Sequence, residues 1–293
     1  MNKDLSTIKK WNFGAGIVHS IAALLTIVVL VPEKKHERTI TLDRITYDVT
    51  RLDETSKVDL PAKLVEQSKI DLKGLVVWFF IVTAASHFLY ASDFFGRGYY
   101  TKAILGIGWN PFRWIEYSIS ASVMIYLISV VSGTKDQVSA LSAALITPGL
   151  MISGFTNERA LEQNNLSKWS NNVLRNPKEI QPVVDSEIIW SNLIPAWSLY
   201  FVHWYIILSN YSKLSKEAKD AGHPVDPAVS FMVYSQLIFF SMFGIIQTYQ
   251  IWRWLTARPG RIEPNYIIYE KAYIILSAVT KLFLASTVVY AIS

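Results

Sequence analysis

The stretch 273-YIILSAVTKLFLASTVVYAIS-293 decides the fold class, because it is long and apolar enough to form a membrane-spanning helix. At about 1.5 Å per residue, a helix of this length crosses roughly 30 Å of hydrocarbon. Near its middle lies one lysine, Lys281. An ionisable side chain at membrane depth is costly, so it normally has a partner and a function. The stretch therefore predicts both a transmembrane helix and a functional amine inside it.

Further apolar runs of similar length precede this one, and the charged residues cluster between them. Only 17% of the 293 residues are charged, whereas ordinary soluble domains have about 25%. The sequence predicts an all-α membrane protein, a single seven-helix transmembrane domain over residues 1–293. Its predicted helices occupy approximately residues 11–31, 74–95, 109–132, 137–157, 187–210, 228–252 and 266–292.

A long polar loop, residues 32–73, separates the first two predicted helices. Within it, 39-TITLDRITYDVTRL-52 alternates apolar and polar residues, which is typical of strands. This pattern predicts a short β-hairpin that turns near Asp43-Arg44. Because an isolated hairpin is marginally stable in water, we expect it to pack on the helices or on another subunit.

The basic residues bear on orientation and on partners. They are scattered over termini and loops instead of forming one face, so we expect no nucleic-acid partner. When the long loop is set aside, more Lys and Arg lie on the N-terminal side of the bilayer. The positive-inside rule then favours a cytoplasmic N-terminus, an extracellular C-terminus and an extracellular loop 32–73. The chain has no cysteine, and no histidine spacing indicates a metal site.

Lys281 lies too far from either end of its run for its amine to reach the membrane surface, so snorkelling does not account for it. One interpretation is a structural ion pair. The other is covalent chemistry, because a neutral buried amine condenses with an aldehyde to form a Schiff base. A protonated imine in the same place needs a nearby carboxylate.

Glu116 is the carboxylate best placed to be that partner, since it lies well inside 112-FRWIEYSISASVMIYLISVV-131. It is one turn from Arg113 and one turn from Ser120, so the three share a helix face. The alternative is an Arg113–Glu116 ion pair at the membrane surface.

Two histidines, His19 and His87, also lie in apolar runs. With a cytoplasmic N-terminus, both fall in the same half of the membrane as Glu116. Together they predict a polar cluster able to accept and hold a proton. The alternative for each is an ordinary buried histidine with its hydrogen bonds satisfied.

These features resemble those of the retinal-binding microbial rhodopsins, and 113-RWIEYSISASVM-124 is similar to the third-helix motif of the heliorhodopsins. The resemblance extends over nearly the whole chain, including the long first loop. It implies that Lys281 binds all-trans retinal as a protonated Schiff base, with Glu116 as its counterion. Ser277 stands one turn before Lys281, where ion-pumping relatives usually carry an aspartate, and its hydroxyl supplies no second negative charge.

The resemblance also implies the walls of a retinal pocket and an assembly state. The residues that fall where the family lines its pocket are Tyr117, Ser120, Met151, Trp197, Phe240 and Gln247. The alternative for each aromatic residue is lipid-facing or core packing. His19 and His87 match the family's histidines near the Schiff base, and the family is similar in having a cytoplasmic N-terminus and in forming homodimers.

The function that follows is light sensing by a retinal protein that is not an enzyme. A proton would move within the His/Glu cluster, and an unknown cytoplasmic partner would read the change without active pumping. A pump needs titratable groups on both sides of the imine, but the third run holds no Asp or Glu after Glu116. The main alternative is a light-gated passive proton or ion channel, using Ser118, Ser122, Ser129 and Glu187. A retinal-free seven-span transporter or membrane enzyme is a third interpretation.

Overall fold

The computed structural model describes residues 3–29, 39–47, 62–101, 110–172, 186–255 and 266–292. Within these ranges the chain forms eight helices and two strands. The long helices are α1 (Lys3–Val29), α2 (Leu72–Ala91), α4 (Pro111–Val131), α5 (Gln137–Asn172), α6 (Ser186–Asp220), α7 (Pro227–Leu255) and α8 (Tyr266–Ile292). A single turn, α3 (Tyr99–Thr101), lies between α2 and α4.

Six of these helices are long and apolar enough to cross a membrane. The spans are Ser6–Val28, Leu72–Ala91, Pro111–Val131, Gln137–Ala160, Pro227–Arg253 and Tyr266–Tyr290. Helix α6 is not among them, because Ser, Asn, His and Trp interrupt its apolar run. The length and composition of the six apolar helices are those of an integral membrane protein.

Two helices extend well beyond their predicted ends. Helix α5 continues past residue 157 to Asn172, and α6 continues past residue 210 to Asp220. The prediction stopped where the apolar run stopped. Good helix-forming residues such as Lys, Glu and Ala follow in both segments, and they continue a helix in water as readily as apolar residues do in lipid.

The two strands predicted within residues 39–52 are not arranged as expected. Strand β1 (Thr39–Tyr47) pairs antiparallel with β2 (Ala62–Asp71), so Asp43 and Arg44 lie inside β1, opposite Gln67 and Glu66. The turn predicted near Asp43-Arg44 is therefore wrong. The structure has a register shift after Arg44 instead, and such an irregularity kinks a strand without reversing it. The connection between the strands lies outside the described residues.

The sheet is anchored to the helices through β1 and β2. Strand β2 runs directly into α2, and Leu42 of β1 is fully buried in the main apolar core beside Leu72 and Val76. Burial of such a side chain contributes about 1.5–3 kcal/mol, which is the packing that an isolated pair of strands lacks.

The seven long helices form a closed ring. Each packs on its neighbours in the order α1, α2, α4, α5, α6, α7 and α8, and α8 returns to α1. Short connections, residues 132–136 and 221–226, join α4 to α5 and α6 to α7, and such connections place consecutive helices side by side and antiparallel. The interior of the ring holds the buried polar side chains described below.

The turn after α2 ends that helix earlier than predicted, at Ala91. Asp93, Phe94 and Phe95 all have positive φ, a conformation costly for residues with a side chain. Asp93 secures the turn, because it accepts hydrogen bonds from the Thr101 amide (2.9 Å) and hydroxyl (2.7 Å) and pairs with Lys9 at 2.8 Å. Burial acts to raise the pKa of Asp93, but the bonds from Lys9 and Thr101 outweigh it and hold that pKa below its ordinary value.

Candidate functional site

The amine of Lys281 lies inside the ring, with only 2% of the residue exposed. Its Nζ donates hydrogen bonds to Glu116 Oε1 at 3.1 Å and to Ser277 Oγ at 2.9 Å. Ser277 is one turn earlier on α8, so the helix itself brings the hydroxyl to the amine. Glu116 comes from α4. The amine therefore has one carboxylate and one hydroxyl as partners.

Glu116, on α4, is held from two other helices. Besides Lys281 of α8, the hydroxyl of Thr83 on α2 donates to Glu116 Oε1 at 2.6 Å. Arg113 pairs elsewhere, with Glu158 and Glu270. The alternative of an Arg113–Glu116 ion pair is therefore wrong. Thr83 was missed by the sequence analysis, although a hydroxyl one turn before His87 in an apolar run is a visible signal.

An apolar cavity adjoins the amine, between α4, α5, α6, α7 and α8. The structure places all the predicted pocket residues around it except Glu116, which reaches Lys281 from beside the cavity. The lining includes Tyr117, Ser120, Met151, Trp197, Phe240, Gln247, Ser277 and Lys281. The aromatic residues among them line this cavity, and Trp197 and Phe240 also pack against the main apolar core.

Specific hydrogen bonds fix the cavity walls. Trp197 Nε1 donates to Thr248 Oγ1 at 3.1 Å, and Gln247 Nε2 donates to the Gly154 carbonyl at 2.9 Å. The Tyr117 hydroxyl donates to the Tyr273 carbonyl at 3.3 Å. Each bond joins two helices, so the side chains that line the cavity are preorganised.

Other cavity residues gave no signal in the sequence. These are mainly large apolar or aromatic side chains, including Trp114, Leu150, Leu193, Tyr200, Phe243 and Tyr273. In a chain that is 51% hydrophobic, nothing in local sequence separates a residue that faces a cavity from one that faces lipid. Only the packing of the helices distinguishes them.

The two predicted histidines lie together. The rings of His19 (α1) and His87 (α2) are buried and stacked, with centroids 5.4 Å apart. His19 Nδ1 bonds the Ala15 carbonyl at 2.7 Å, and His87 Nδ1 bonds Asn12 Oδ1 at 2.8 Å. His19 Nε2 has no hydrogen-bond partner among the described residues. With Nδ1 as the donor, Nε2 keeps a free lone pair that can accept a proton.

A second buried polar group lies nearer the start of α4. Arg113 donates to Glu158 at 2.5 Å and also to Glu270, and we call these three residues the acid cluster. Trp114 Nε1 donates to Glu158 at 2.8 Å, and Asn110 Nδ2 donates to Glu270 at 2.7 Å. The sequence analysis did not find this cluster, because each charge near a helix end is consistent with a membrane-surface position.

The cavity and the amine fit an elongated apolar aldehyde such as retinal. Apolar and aromatic walls suit a hydrocarbon chain and ring, the amine supplies the group that condenses with an aldehyde, and Glu116 supplies a negative charge beside it. Among the described residues, no group of three His, Asp or Glu side chains is arranged to hold a metal ion.

Comparison with known proteins identifies similar sequences and folds. A family model described as Heliorhodopsin matches residues 8–292. The structure is similar to that of Exiguobacterium sibiricum rhodopsin, with 10% identity, a TM-score of 0.62, and coverage of 100% of this chain and 98% of that chain. It is also similar to LR (Mac), a light-driven proton pump from Leptosphaeria maculans, with 12% identity, a TM-score of 0.58, and coverage of 99% and 96%. At these identities the two structures show a common fold alone. A search of curated protein sequences found no match.

Proposed function

The chain belongs to the heliorhodopsin family, and we propose that it is a light sensor that binds all-trans retinal covalently at Lys281. Family membership makes it a retinal-binding, light-responsive membrane protein. The observation that carries the finer proposal is the position of Lys281 Nζ, which lies at an apolar cavity and 3.1 Å from the Glu116 carboxylate.

Retinal, when bound, supplies the absorption of visible light and the photoisomerisation. Lys281 provides the nitrogen of the linkage, and Glu116 neutralises the positive charge on that nitrogen. Thr83 and Ser277 orient the two groups through hydrogen bonds of 2.6 Å and 2.9 Å. In a site shielded from water, this pairing is stronger than it is at a surface.

The histidine pair offers a place for a proton displaced from the Lys281 nitrogen. The rings of His19 and His87 are stacked inside the helix ring, and His19 Nε2 is an acceptor without a partner among the described residues. His87 lies in the last third of α2, on the side of the bundle that contains the N-terminus, and His19 lies near the middle of α1, stacked on His87. A proton held on these histidines returns to the Lys281 nitrogen from the same side. The cycle therefore transports no proton across the membrane, and its output is a conformational change.

We also propose the membrane arrangement. Helix α6 is a membrane span in addition to the six named above, which brings the number to seven. It closes the ring between α5 and α7 and presents Phe201 and Tyr205 outward, 62% and 73% exposed. The N-terminus is cytoplasmic, and the C-terminus and loop 32–73 are extracellular. The protein is a homodimer that signals to a cytoplasmic partner, binds no nucleic acid and is not an enzyme.

Reconstitution tests the proposed function. Membranes containing the wild-type chain and all-trans retinal are expected to develop a visible absorption band, and Lys281→Ala is expected to abolish covalent attachment. Lys271→Ala is the matched control, since Lys271 is on the same helix and does not line the cavity. A colourless wild type, or retinal covalently bound to Lys281→Ala, would overturn the proposal. The first result would favour a retinal-free transporter or membrane enzyme.

One observation favours the alternative of a light-gated passive channel. Buried polar atoms without a partner among the described residues lie on Ser129, Thr147 and His203, and such groups commonly hold water. Two other proposed channel residues, Ser118 and Ser122, instead donate to helix carbonyls at 2.8 Å and 2.6 Å. The side chain of Glu187 lies outside the described residues.

Voltage-clamped cells that express the reconstituted protein separate the two functions. A pure sensor is expected to give at most a transient charge movement on illumination. A sustained photocurrent that reverses with the proton or ion gradient would establish the channel instead.

A further inference from the structure

The acid cluster contains more negative than positive charge. Arg113, Glu158 and Glu270 are 3%, 2% and 2% exposed, and they supply one guanidinium for two carboxyl groups. Among the described residues, the side chains and amides that contact these carboxyl groups all act as donors. They are Arg113, Trp114, Asn110, Tyr100 and Tyr266.

This donor pattern fits two ionised carboxylates. Among these partners, only the tyrosine hydroxyls could accept the O–H of a protonated carboxyl group, and the Tyr100 hydroxyl already accepts from Asn12 Nδ2. The donated hydrogen bonds stabilise the charged form. With both carboxyl groups ionised, the described residues of the acid cluster carry one negative charge more than the Arg113 guanidinium balances. In a buried environment, such a charge acts strongly on nearby groups that can become positive.

A chain of buried hydrogen bonds connects the acid cluster to the histidine pair. His87 Nδ1 donates to Asn12 Oδ1 at 2.8 Å, and Asn12 Nδ2 donates to the Tyr100 hydroxyl at 2.7 Å. The Tyr100 hydroxyl then donates to Glu270 Oε1 at 3.1 Å. All three bonds point the same way, with the acceptor side facing His87. Their dipoles therefore favour positive charge on that ring.

The neighbouring charges around the histidines are already balanced. Lys281 and Glu116 form one pair at 3.1 Å, and Lys9 and Asp93 form another at 2.8 Å. The acid cluster differs from these two pairs, because its two carboxyl groups share the single guanidinium of Arg113.

We propose that the acid cluster is the counter-charge that holds the light-displaced proton on the His19/His87 pair, with Asn12, Tyr100 and Glu270 as positioning residues. This inference rests on the proposed function, in which the histidines receive that proton. The proton itself stays on an imidazole ring, because the amide of Asn12 lies in the chain and amides do not pass protons readily. The hydrogen bonds from His87 to Glu270 therefore transmit polarisation and carry no proton.

Flash photolysis of the reconstituted protein tests this role. Glu270→Gln removes one negative charge, so the lifetime of the deprotonated Lys281 nitrogen is expected to shorten about tenfold, the scale of one unit charge at about 10 Å inside a protein. Glu270→Asp keeps the charge and is expected to remain close to wild type. Tyr100→Phe keeps the charge of Glu270 and the ring stack on Tyr90 (5.0 Å) but breaks the hydrogen-bond chain. A smaller shortening of the lifetime is therefore expected.

The retinal-free protein gives an independent readout. With ¹⁵N-labelled histidine, an NMR titration from neutral towards acidic pH is expected to show that His87 takes up its proton at a lower pH in Glu270→Gln than in the wild type. Glu270→Asp is expected to restore the wild-type titration. The signal of His223, which is exposed in the turn between α6 and α7, serves as an internal control and is expected not to change.

The outcomes separate this inference from the proposed function. If the wild type shows no light-induced deprotonation, or if His19→Phe and His87→Phe leave its lifetime unchanged, the proposed function fails. If the histidine variants alter that lifetime while Glu270→Gln and Tyr100→Phe match wild type in both experiments, the inference alone is overturned. Should Glu270→Gln fail to bind retinal, Tyr100→Phe decides the question by flash photolysis and by NMR.

Discussion

Thr83 on α2 donates a 2.6 Å hydrogen bond to Glu116 on α4, and it uses the same carboxylate oxygen that accepts from Lys281. The hydroxyl therefore competes with the amine for one negatively charged atom. A hydrogen bond to an ionised group is stronger than one between neutral groups, so Thr83 tunes how strongly Glu116 acts on a positive charge at Lys281.

Thr83→Val is expected to shift the visible band to shorter wavelength. Without the hydroxyl, more of the negative charge on Glu116 acts on the Lys281 nitrogen, which localises the positive charge of the chromophore there. Thr83→Ser retains the donor and is the control. Absorption spectra of the reconstituted variants measure the effect, and equal shifts in both variants would exclude a role for the hydroxyl.

Glu116→Gln is expected to shift the band in the opposite direction, to longer wavelength, and by more than Thr83→Val. The substitution removes the counter-charge altogether and so weakens the localisation of positive charge at the nitrogen. Glu116→Asp keeps a carboxylate and should lie between the wild type and the glutamine variant. An unchanged spectrum in Glu116→Gln would mean that another group is the counterion.

Gly154→Ala is expected to destabilise the bundle by about 1–3 kcal/mol, because overpacking forces neighbouring atoms to move. A Cβ at this position would lie 2.3 Å from the ring of Trp114, a buried side chain that lines the cavity. Gly14→Ala is the control, since a Cβ there meets nothing within 4 Å and alanine is the better helix former. The midpoint of thermal unfolding measures both, and equal midpoints would contradict the packing argument.

Asp93→Asn is expected to destabilise the turn after α2 at neutral pH but not in acid. Because the Asp93 pKa in the folded protein lies below its ordinary value, the ionised carboxylate stabilises the fold above about pH 4. That contribution is lost as the pH falls through the folded-state pKa. The stability difference between wild type and Asp93→Asn, about 1 kcal/mol, should shrink with acidification.

Thermal unfolding over a range of pH checks this linkage. Lys9→Gln removes the cation from the same pair and should show the same trend as Asp93→Asn. A difference between wild type and Asp93→Asn that is constant from neutral to acidic pH would contradict it.

The sequence predicted local features well where one physical property dominates. The run around Lys281 and the apolar run of α4 coincide with helices α8 and α4 because bilayer-length apolar segments have few other stable conformations. The loop strands show the limit of this reasoning. Alternation indicated extended chain around Asp43-Arg44, but the partner strand lies some twenty residues further along, and no local pattern identifies it.

The candidate site shows the same division. The sequence alone determined that an amine is buried in the last span, that a carboxylate lies within the third, and that two histidines lie at membrane depth, because burial follows from the length of an apolar run. Tertiary structure alone decided the pairing. Glu116 and Lys281 are 165 positions apart, and Arg113 pairs with residues 45 and 157 positions away instead of with Glu116 one turn along. Which of these distant residues meet is set by how the helices pack around the ring. Helix packing in turn depends on surfaces from the whole chain at once.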